Sequence, residues 1–307
     1  MFEKVSPAHP DKMCDRLAGA IVDLAYSKEK NPRIAVEVLA GHGKVFIIIE
    51  TSLSREQLSC AEIDPIVWRI FGNDVEINVT IVPQDPILAH NQDNAMRVAD
   101  NGIFKGSAPT YEQKALTAIA ASIYDKHPSD GKYIIQGSGR LAAPVFDVTV
   151  CQSHLSKDEE PDLRQHLIAG YHINGNIIIN PLGEWTGGPD VDCGATNRKL
   201  GSDMGDGVSG GGINGKDLSK GDVSINIVAF LLAQRYGTQI EACCSIGDEH
   251  VTFNGYYCAE AFSKGLERLP ITMPFSDVVE MARLYILTDC NGSFEEFAKW
   301  GLIRPKE

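Results

Sequence analysis

Gly187–Asp222, GGPDVDCGATNRKLGSDMGDGVSGGGINGKDLSKGD, is the stretch on which the reading of this chain turns. It holds 11 of the 29 glycines, together with Arg198, Lys199, Lys216, Lys220 and six aspartates. No apolar run within it predicts a buried strand or an amphipathic helix. A loop this long inside a compact domain is either disordered or functional. Cations and carboxylates alternate here among glycines that let backbone N–H groups come close to a ligand, which favours function. A metal-bound polyphosphate needs that set: Lys and Arg for phosphate oxygens, Asp for Mg²⁺, Gly for clearance.

Two nucleotide motifs can be extracted from the loop, and neither stands. Gly205–Gly210 matches GxGxxG, but Leu200–Met204 before it is not the hydrophobic strand that a dinucleotide fingerprint requires. Gly210–Lys216 matches GxxxxGK, yet Asp217 follows where a P-loop places Ser or Thr, and the feeding strand is again missing.

At 307 residues the chain can bury a large core and is expected to divide into two or three lobes. A hydrophobic share of 43% with 22% charged residues is ordinary globular composition. The net charge of −13 excludes non-specific nucleic-acid or membrane-surface binding, so an anionic ligand needs a local cationic pocket. No apolar run is long enough to span a membrane, and the N-terminal MFEKVSPAHPDK lacks a secretory apolar core. Cys14, Cys60, Cys151, Cys193, Cys243, Cys244, Cys258 and Cys290 form no CxxC pair, so reduced thiols and a cytoplasmic location are expected.

Ser6–Lys12 (SPAHPDK) precedes a helical pattern with Leu17, Ile21 and Leu24 on one face. Pro10 suits the first turn and Asp11 complements the positive end of the helix dipole. His9, Asp11 and Lys12 can be a helix start alone, or an anion-and-metal corner. Arg33–Leu39 and Lys44–Glu50 read as hairpin strands around Ala40–Gly43, with Glu37 and Glu50 each either solvated or functional. A helix over about 55–71 and a strand over 75–82 complete a ββαβ unit. Pro83–Ser107 reads as a polar crossing loop or a mobile lid. Helices are expected over 111–124, from the charged segment 156–162 to about 169, and over 223–236 with Asp222 as N-cap. Strands are expected over 133–136, 143–151, 176–181, 239–245 and 251–254. Ser276 is expected to cap a helix to Leu287, and the tail to Glu307 carries little signal. The mixed order suggests several α+β layers, and no internal repeat is legible.

Ala8-His9-Pro10-Asp11-Lys12, Asp100-Asn101-Gly102, Asp130-Gly131-Lys132, Gly187-Gly188-Pro189 through Asp192-Cys193-Gly194, Arg198-Lys199 and Gly210–Asp217 (GGGINGKD) stand in one order along the chain. That ordered set resembles the S-adenosylmethionine synthetases (methionine adenosyltransferases). The likeness covers about residues 3 to 255, and the last fifty match poorly. The resemblance implies an α+β fold of three similar subdomains in pseudo-threefold arrangement, with chain crossovers between them. The implied divisions are 9–86 with 188–224 (central), 1–8 with 108–187 (N-terminal) and 87–107 with 225–307 (C-terminal). It also implies attack of the methionine sulfur on C5′ of ATP, giving S-adenosylmethionine and tripolyphosphate, which is then hydrolysed to pyrophosphate and phosphate.

By resemblance, His9 sits near the C5′–O bond, and Lys132, Arg198, Lys199, Lys216 and Lys220 hold the polyphosphate. Asp11 and Asp222 each bind a Mg²⁺, with Glu3 nearby, and Glu37 corresponds to a K⁺-site carboxylate. Glu50 and Gln84 hold methionine. Asp100 and Asp192 lie around methionine and adenosine, Asp130 belongs to the ATP site, and Trp185 offers an aromatic face. The active sites of the resembled family lie at a homodimer interface, so a homodimer is expected here.

Several positions depart from the family pattern. Ala8 and Asn197 replace glycines, Asn101 replaces a glutamine, and Glu184-Trp185 stands for Arg-Phe with the next turn one residue shorter. The family's gating loop is cut to Ile103–Ala108, which suggests a reduced, divergent or phage-like enzyme without a real lid. Two other classes fit parts of the pattern. A kinase would need the P-loop Ser/Thr and catalytic-loop signatures that are missing here. A catalytically dead relative would be expected to have lost some of these lysines or carboxylates.

Overall fold

The computed structural model describes residues 1–93, 95–137, 146–171, 173–255 and 269–305. The chain runs three times through one sequence of elements: a short strand, a long helix, a hairpin and a further strand. The first pass is β1 (Phe2–Val5), α1 (Pro10–Lys28), β2 (Ile34–Gly41), β3 (Lys44–Thr51), α2 (Cys60–Phe71) and β4 (Glu76–Pro83). After α3 (Pro86–Asn91), the second is β5 (Gly102–Gly106), α4 (Tyr111–Lys126), β6 (Gly131–Gly137), β7 (Phe146–Gln152), α5 (Glu160–Tyr171) and β8 (Ile177–Ile179). The third is β9 (Cys193–Ala195), α6 (Leu200–Met204), α7 (Gly221–Tyr236), β10 (Ile240–Cys244), β11 (His250–Gly255) and β12 (Ile271–Pro274). α8 (Phe275–Asp289) and α9 (Phe294–Trp300) close the chain.

The short strand of each pass joins the sheet of another pass. β1 edges the sheet β1-β6-β7-β8, β5 edges β5-β10-β11-β12, and β9 edges β9-β2-β3-β4. Three four-stranded α+β units are thus stitched by three crossovers in cyclic order. In the first two passes the strand after the crossover helix lies parallel to its neighbour (β4 on β3, β8 on β7), whereas β12 lies antiparallel to β11.

Alternation explains the sheet built on β2 and β3. Val36, Val38, Ala40, Val45, Ile47 and Ile49 point into the core, while Glu37, Leu39, Phe46, Ile48 and Glu50 share the outer face. One core joins this sheet to the β10–β11 sheet through α1, α7 and α8; a second lies between the β6–β7 sheet, α4 and α5. α7 is apolar almost all round and accordingly buried.

Several expectations are corrected. Asp222 does not cap α7: Lys220 is the N-cap, and Asp222 sits in the first turn with its side chain turned to the loop. Ser276 likewise lies inside α8, which starts at Phe275 after Pro274. The segment 83–107 is no open loop, since it contains α3 and the paired strand β5, leaving only 107–110 before α4. Of the expected strand 143–151, residues 143–145 lie outside the described residues. The tail is anchored at both ends of α9. Asp23 on α1 accepts the Phe294 and Glu295 N–H groups that open α9, at 2.7 and 3.0 Å. The buried Lys4 ammonium donates to the carbonyls of Ser202, Trp300 and Ile303 at 2.7, 2.8 and 2.9 Å.

Candidate active site

α1 opens against β9, and that junction sets the first cationic group. His9 is the N-cap of α1, and its Nδ1 accepts the Asp11 N–H at 3.1 Å. With Nδ1 as acceptor, a neutral ring carries its proton on Nε2. Burial, and then the Lys199 charge, lower the His9 pKa to about 3, so the ring is a neutral donor at working pH. Asp11 Oδ1 accepts the Ala195 N–H of β9 at 2.9 Å; Lys199 Nζ lies 2.9 Å from Oδ2 and Arg198 Nε 3.6 Å from Oδ1. Burial alone would raise this carboxyl, but the Lys199 ammonium and the Ala195 N–H outweigh it and hold the pKa below the ordinary range.

The entry to β6 supplies the facing wall. Asp130 Oδ2 accepts the Gly188 N–H at 3.0 Å, while Oδ1 is buried with no partner among the described residues. Burial raises the Asp130 pKa. Lys132, two residues on, places Nζ 3.9 Å from Asp192 Oδ2. The Trp185 ring and the Asp130 carboxylate both lie against Gly187, and Trp185 Nε1 donates to Asn180 Oδ1 at 3.3 Å. Lys132, Cys151 and Trp185 line, with the turn 180–184, a cavity of about 300 Å³.

The glycine loop supplies the second group. Lys216 Nζ lies 2.7 Å from Asp222 Oδ2 and donates to the Gly211 carbonyl at 2.5 Å. The glycines are required by contact as well as by backbone. Gly211 and Gly212 have φ of +84° and +79°, and a Cβ would collide with the Asp222 carboxylate at the first and the Asn197 amide at the second. Asn197 joins the two groups: its Oδ1 accepts the Ile213 and Asn214 N–H groups at 3.0 and 2.9 Å, and Arg198 follows it directly.

The structure therefore brings His9, Asp11, Asp130, Lys132, Trp185, Asp192, Arg198 and Lys199 into one group, and Lys216 with Asp222 into an adjoining one. Glu3 shares the sheet face of Lys132 two registers away. Glu37 accepts the Thr196 hydroxyl on the outer face of β2. Ala35 pairs with Glu50 on one side and bridges Lys216 on the other, so these two flank it. Gln84 donates to Gln92 at 2.9 Å and Asp100 accepts the Asn101 N–H at 2.8 Å, while Lys220 is the N-cap of α7, two residues before Asp222. Lys12 leaves the corner altogether. Its Nζ is buried between Asp15 and Asp203 at 3.0 and 2.6 Å.

Sequence reasoning missed Asn197, whose signal was an asparagine where the family motif carries glycine. It also missed the Lys12–Asp15 pair, legible as i,i+3 spacing on one helix.

The family model described as S-adenosylmethionine synthetase, N-terminal domain, matches residues 1–73. The S-adenosylmethionine synthase 2 of Rhodospirillum rubrum is 30% identical over 275 residues, covering 76% of this chain and 71% of that protein. The S-adenosylmethionine synthase of Rhodopseudomonas palustris is 30% identical over 302 residues, covering 78% and 76%. That of Mycolicibacterium gilvum is 26% identical over 309 residues, covering 78% and 77%.

Proposed function

Since the chain belongs to the S-adenosylmethionine synthase family, we propose that it joins the sulfur of L-methionine to C5′ of ATP and releases S-adenosylmethionine. The tripolyphosphate formed is hydrolysed to pyrophosphate and phosphate. The observation that carries this reading is the pairing of two cationic groups, Arg198–Lys199 with Lys132 and Lys216, each beside a carboxylate that can hold a metal.

The chemistry suits those groups. A thioether sulfur is already a neutral nucleophile, so the site has no need of a strong base. The difficulty is the charge growing on the departing oxygen, which fixed cations and donors stabilise. His9, held neutral with its proton on Nε2, donates toward that oxygen. Lys132, Arg198, Lys199, Lys216 and Lys220 hold the phosphates. Trp185 beside the cavity over Lys132 offers a stacking face for adenine, with Asp130 and Asp192 at its edge. Glu50, Gln84 and Asp100 bind methionine, the Glu50 carboxylate pairing its ammonium.

Mg²⁺ fits the oxygen donors of Asp11 and Asp222, with Glu3 nearby, and supplies further neutralisation of the phosphate charge when bound. Among the described residues no three His, Cys, Asp or Glu side chains form a ready-made metal cluster, which accords with Mg²⁺ sites completed by substrate phosphates. Glu37 is assigned to K⁺.

The outer face of the β2–β3 sheet exposes Leu39, Phe46, Ile48 and Val82 around Glu37 and Glu50. We assign this face to a homodimer contact that completes each site, because its exposed apolar side chains surround the carboxylates Glu37 and Glu50. The three sheets support the division into 9–86 with 188–224, 1–8 with 108–187, and 87–107 with 225–307. No described helix is long and apolar enough to cross a membrane, and every described cysteine is a free thiol, which supports a cytoplasmic assignment.

The decisive experiment is mass spectrometry of the purified protein incubated with ATP, Mg²⁺, K⁺ and methionine, beside Lys216→Ala. S-adenosylmethionine from the intact protein alone is the expected result. Phosphate release without it would point to an uncoupled ATPase or another acceptor, and ATP binding without turnover to a regulatory relative.

A further inference from the structure

We propose that Asn197 is a positioning residue: it fixes the glycine loop carrying Lys216 to the segment carrying Arg198 and Lys199, and so sets the spacing of the two cationic arms that hold one polyphosphate. This rests on the polyphosphate reading of the site.

Asn197 is anchored from behind. Its N–H donates to Asp15 Oδ1 at 2.8 Å, and Asp15 is itself fixed by the buried Lys12 ammonium. Its φ is +62°, a left-handed conformation that asparagine tolerates better than other side-chain-bearing residues. The backbone shape could be met by glycine, so the side chain is what needs explaining.

That side chain is fully engaged with the loop. One oxygen accepts two successive amides, Ile213 N–H at 3.0 Å and Asn214 N–H at 2.9 Å, while Nδ2 donates to the Asn214 carbonyl at 3.2 Å. The amide fits where Gly212 has no Cβ. Lys216 lies two residues beyond this contact, and Arg198 and Lys199 follow Asn197 immediately. One amide therefore ties both arms to one anchor. Within each arm the cations already have carboxylate partners, but those bonds must open when phosphate arrives. The bonds of Asn197 are to backbone and persist through that exchange. They keep the loop from reopening when the Lys216–Asp222 pair is broken.

The variants are Asn197→Gly, which keeps the backbone conformation and loses every side-chain bond, and Asn197→Asp, which keeps the accepting oxygens. Backbone hydrogen exchange over residues 209–218 of the full-length protein is measured first, without substrate. Inhibition by added tripolyphosphate and the separate KM for ATP and kcat follow. For Asn197→Gly we expect exchange at Ile213 and Asn214 to quicken about tenfold. Tripolyphosphate inhibition should weaken and the KM for ATP rise by a similar factor, with kcat changed far less. Asn197→Asp should restore the amide protection. The inference is overturned if Asn197→Gly leaves both loop exchange and tripolyphosphate inhibition within about twofold of the unaltered protein, or if exchange rises throughout the chain. Failure of the underlying reading looks different: the unaltered enzyme would then make no S-adenosylmethionine, whatever the loop amides do.

Discussion

Replacing Lys12 by methionine removes the ammonium that pairs directly with two buried carboxylates. Lys12 Nζ sits 3.0 Å from Asp15 Oδ2 and 2.6 Å from Asp203 Oδ2, and all three side chains are 1% exposed or less. Burial alone would lower the Lys12 pKa, but Asp15 and Asp203 outweigh it and raise it, so the triad carries a charged lysine. Methionine matches the length of the stem but leaves two carboxylates in the core without their direct cationic partner. Breaking a buried ion pair from one side costs about 3–5 kcal/mol, and that is the destabilisation expected here near pH 8. The cost should depend on pH in a defined direction. Burial, with Asp203 beside it, already raises the Asp15 pKa to about 6, against about 4 in an unfolded chain. Loss of Lys12 raises it further. A carboxyl whose folded pKa is raised contributes stability that is fully present below the unfolded pKa and lost as pH climbs through the folded one. The deficit of the variant should therefore be small near pH 4 and grow steadily as pH rises through and beyond about 6. Urea unfolding at several pH values measures it, and Lys12→Met with Asp15→Asn and Asp203→Asn should recover much of the loss. A deficit below about 1 kcal/mol at pH 8, or one that grows toward acid, would refute the argument.

Three further outcomes are expected. Ile48→Asp places a charge in the exposed apolar face of the β2–β3 sheet; sedimentation equilibrium should show a folded monomer that makes no S-adenosylmethionine, and a fully active dimer would count against the interface. Burial lowers the Lys4 pKa to about 7, below its unfolded value, so the cost of charging it is present at neutral pH and relieved as pH rises toward 10. Stability of the unaltered protein should rise over that window by at most about 1.4 kcal/mol per pH unit, and Lys4→Met should flatten the rise in urea midpoints. Finally, calorimetry should find tripolyphosphate binding strengthened by Mg²⁺ and Mg²⁺ binding strengthened by tripolyphosphate by one common factor, and independent binding would refute it.

Much of the fold was legible because local signals agreed with tertiary need. Pro10 at the first helical position, with His9 capping, marks α1 in sequence and in space. The alternation in Arg33–Glu50 likewise specifies a hairpin with one buried face. The threefold order came from the ordered motifs and from no local pattern, because the strands that stitch it are short and pair at a distance: β1 with β6, β5 with β10, β9 with β2. Asp222 was misassigned because an aspartate before an apolar run is the usual N-cap signal. Lys216, six residues earlier, claims that carboxylate instead, and capping yields to the ion pair. In the tail, Ser293 with Glu296 three residues on was a readable helix start, but the anchor was not, since what holds it includes Lys4, nearly the whole chain length away. Of the site, the residue types were readable and their pairing was not. Nothing local says that Lys199 will reach Asp11 and Lys216 will reach Asp222.

Those pairings show how a chain of net charge −13 would accommodate the polyphosphate proposed above. Unpaired cations held close together would repel one another, and unpaired carboxylates at a buried helix start would bear the full cost of desolvation. Here each carboxylate suited to a metal sits on a cation suited to phosphate: Asp11 on Lys199, Asp222 on Lys216. Paired in this way, the two groups are nearly self-neutral, and so give little electrostatic pull on stray anions. The same arrangement penalises either ligand alone. Phosphate that takes Lys199 leaves Asp11 uncompensated, and a cation that takes Asp11 releases Lys199 without a partner. When both arrive, every charge exchanges one partner for another and none is left bare. On the proposed reading, selectivity for a metal-bound polyphosphate over free phosphate or free metal follows from the pairing of the side chains, without any contact that distinguishes the ligands by shape.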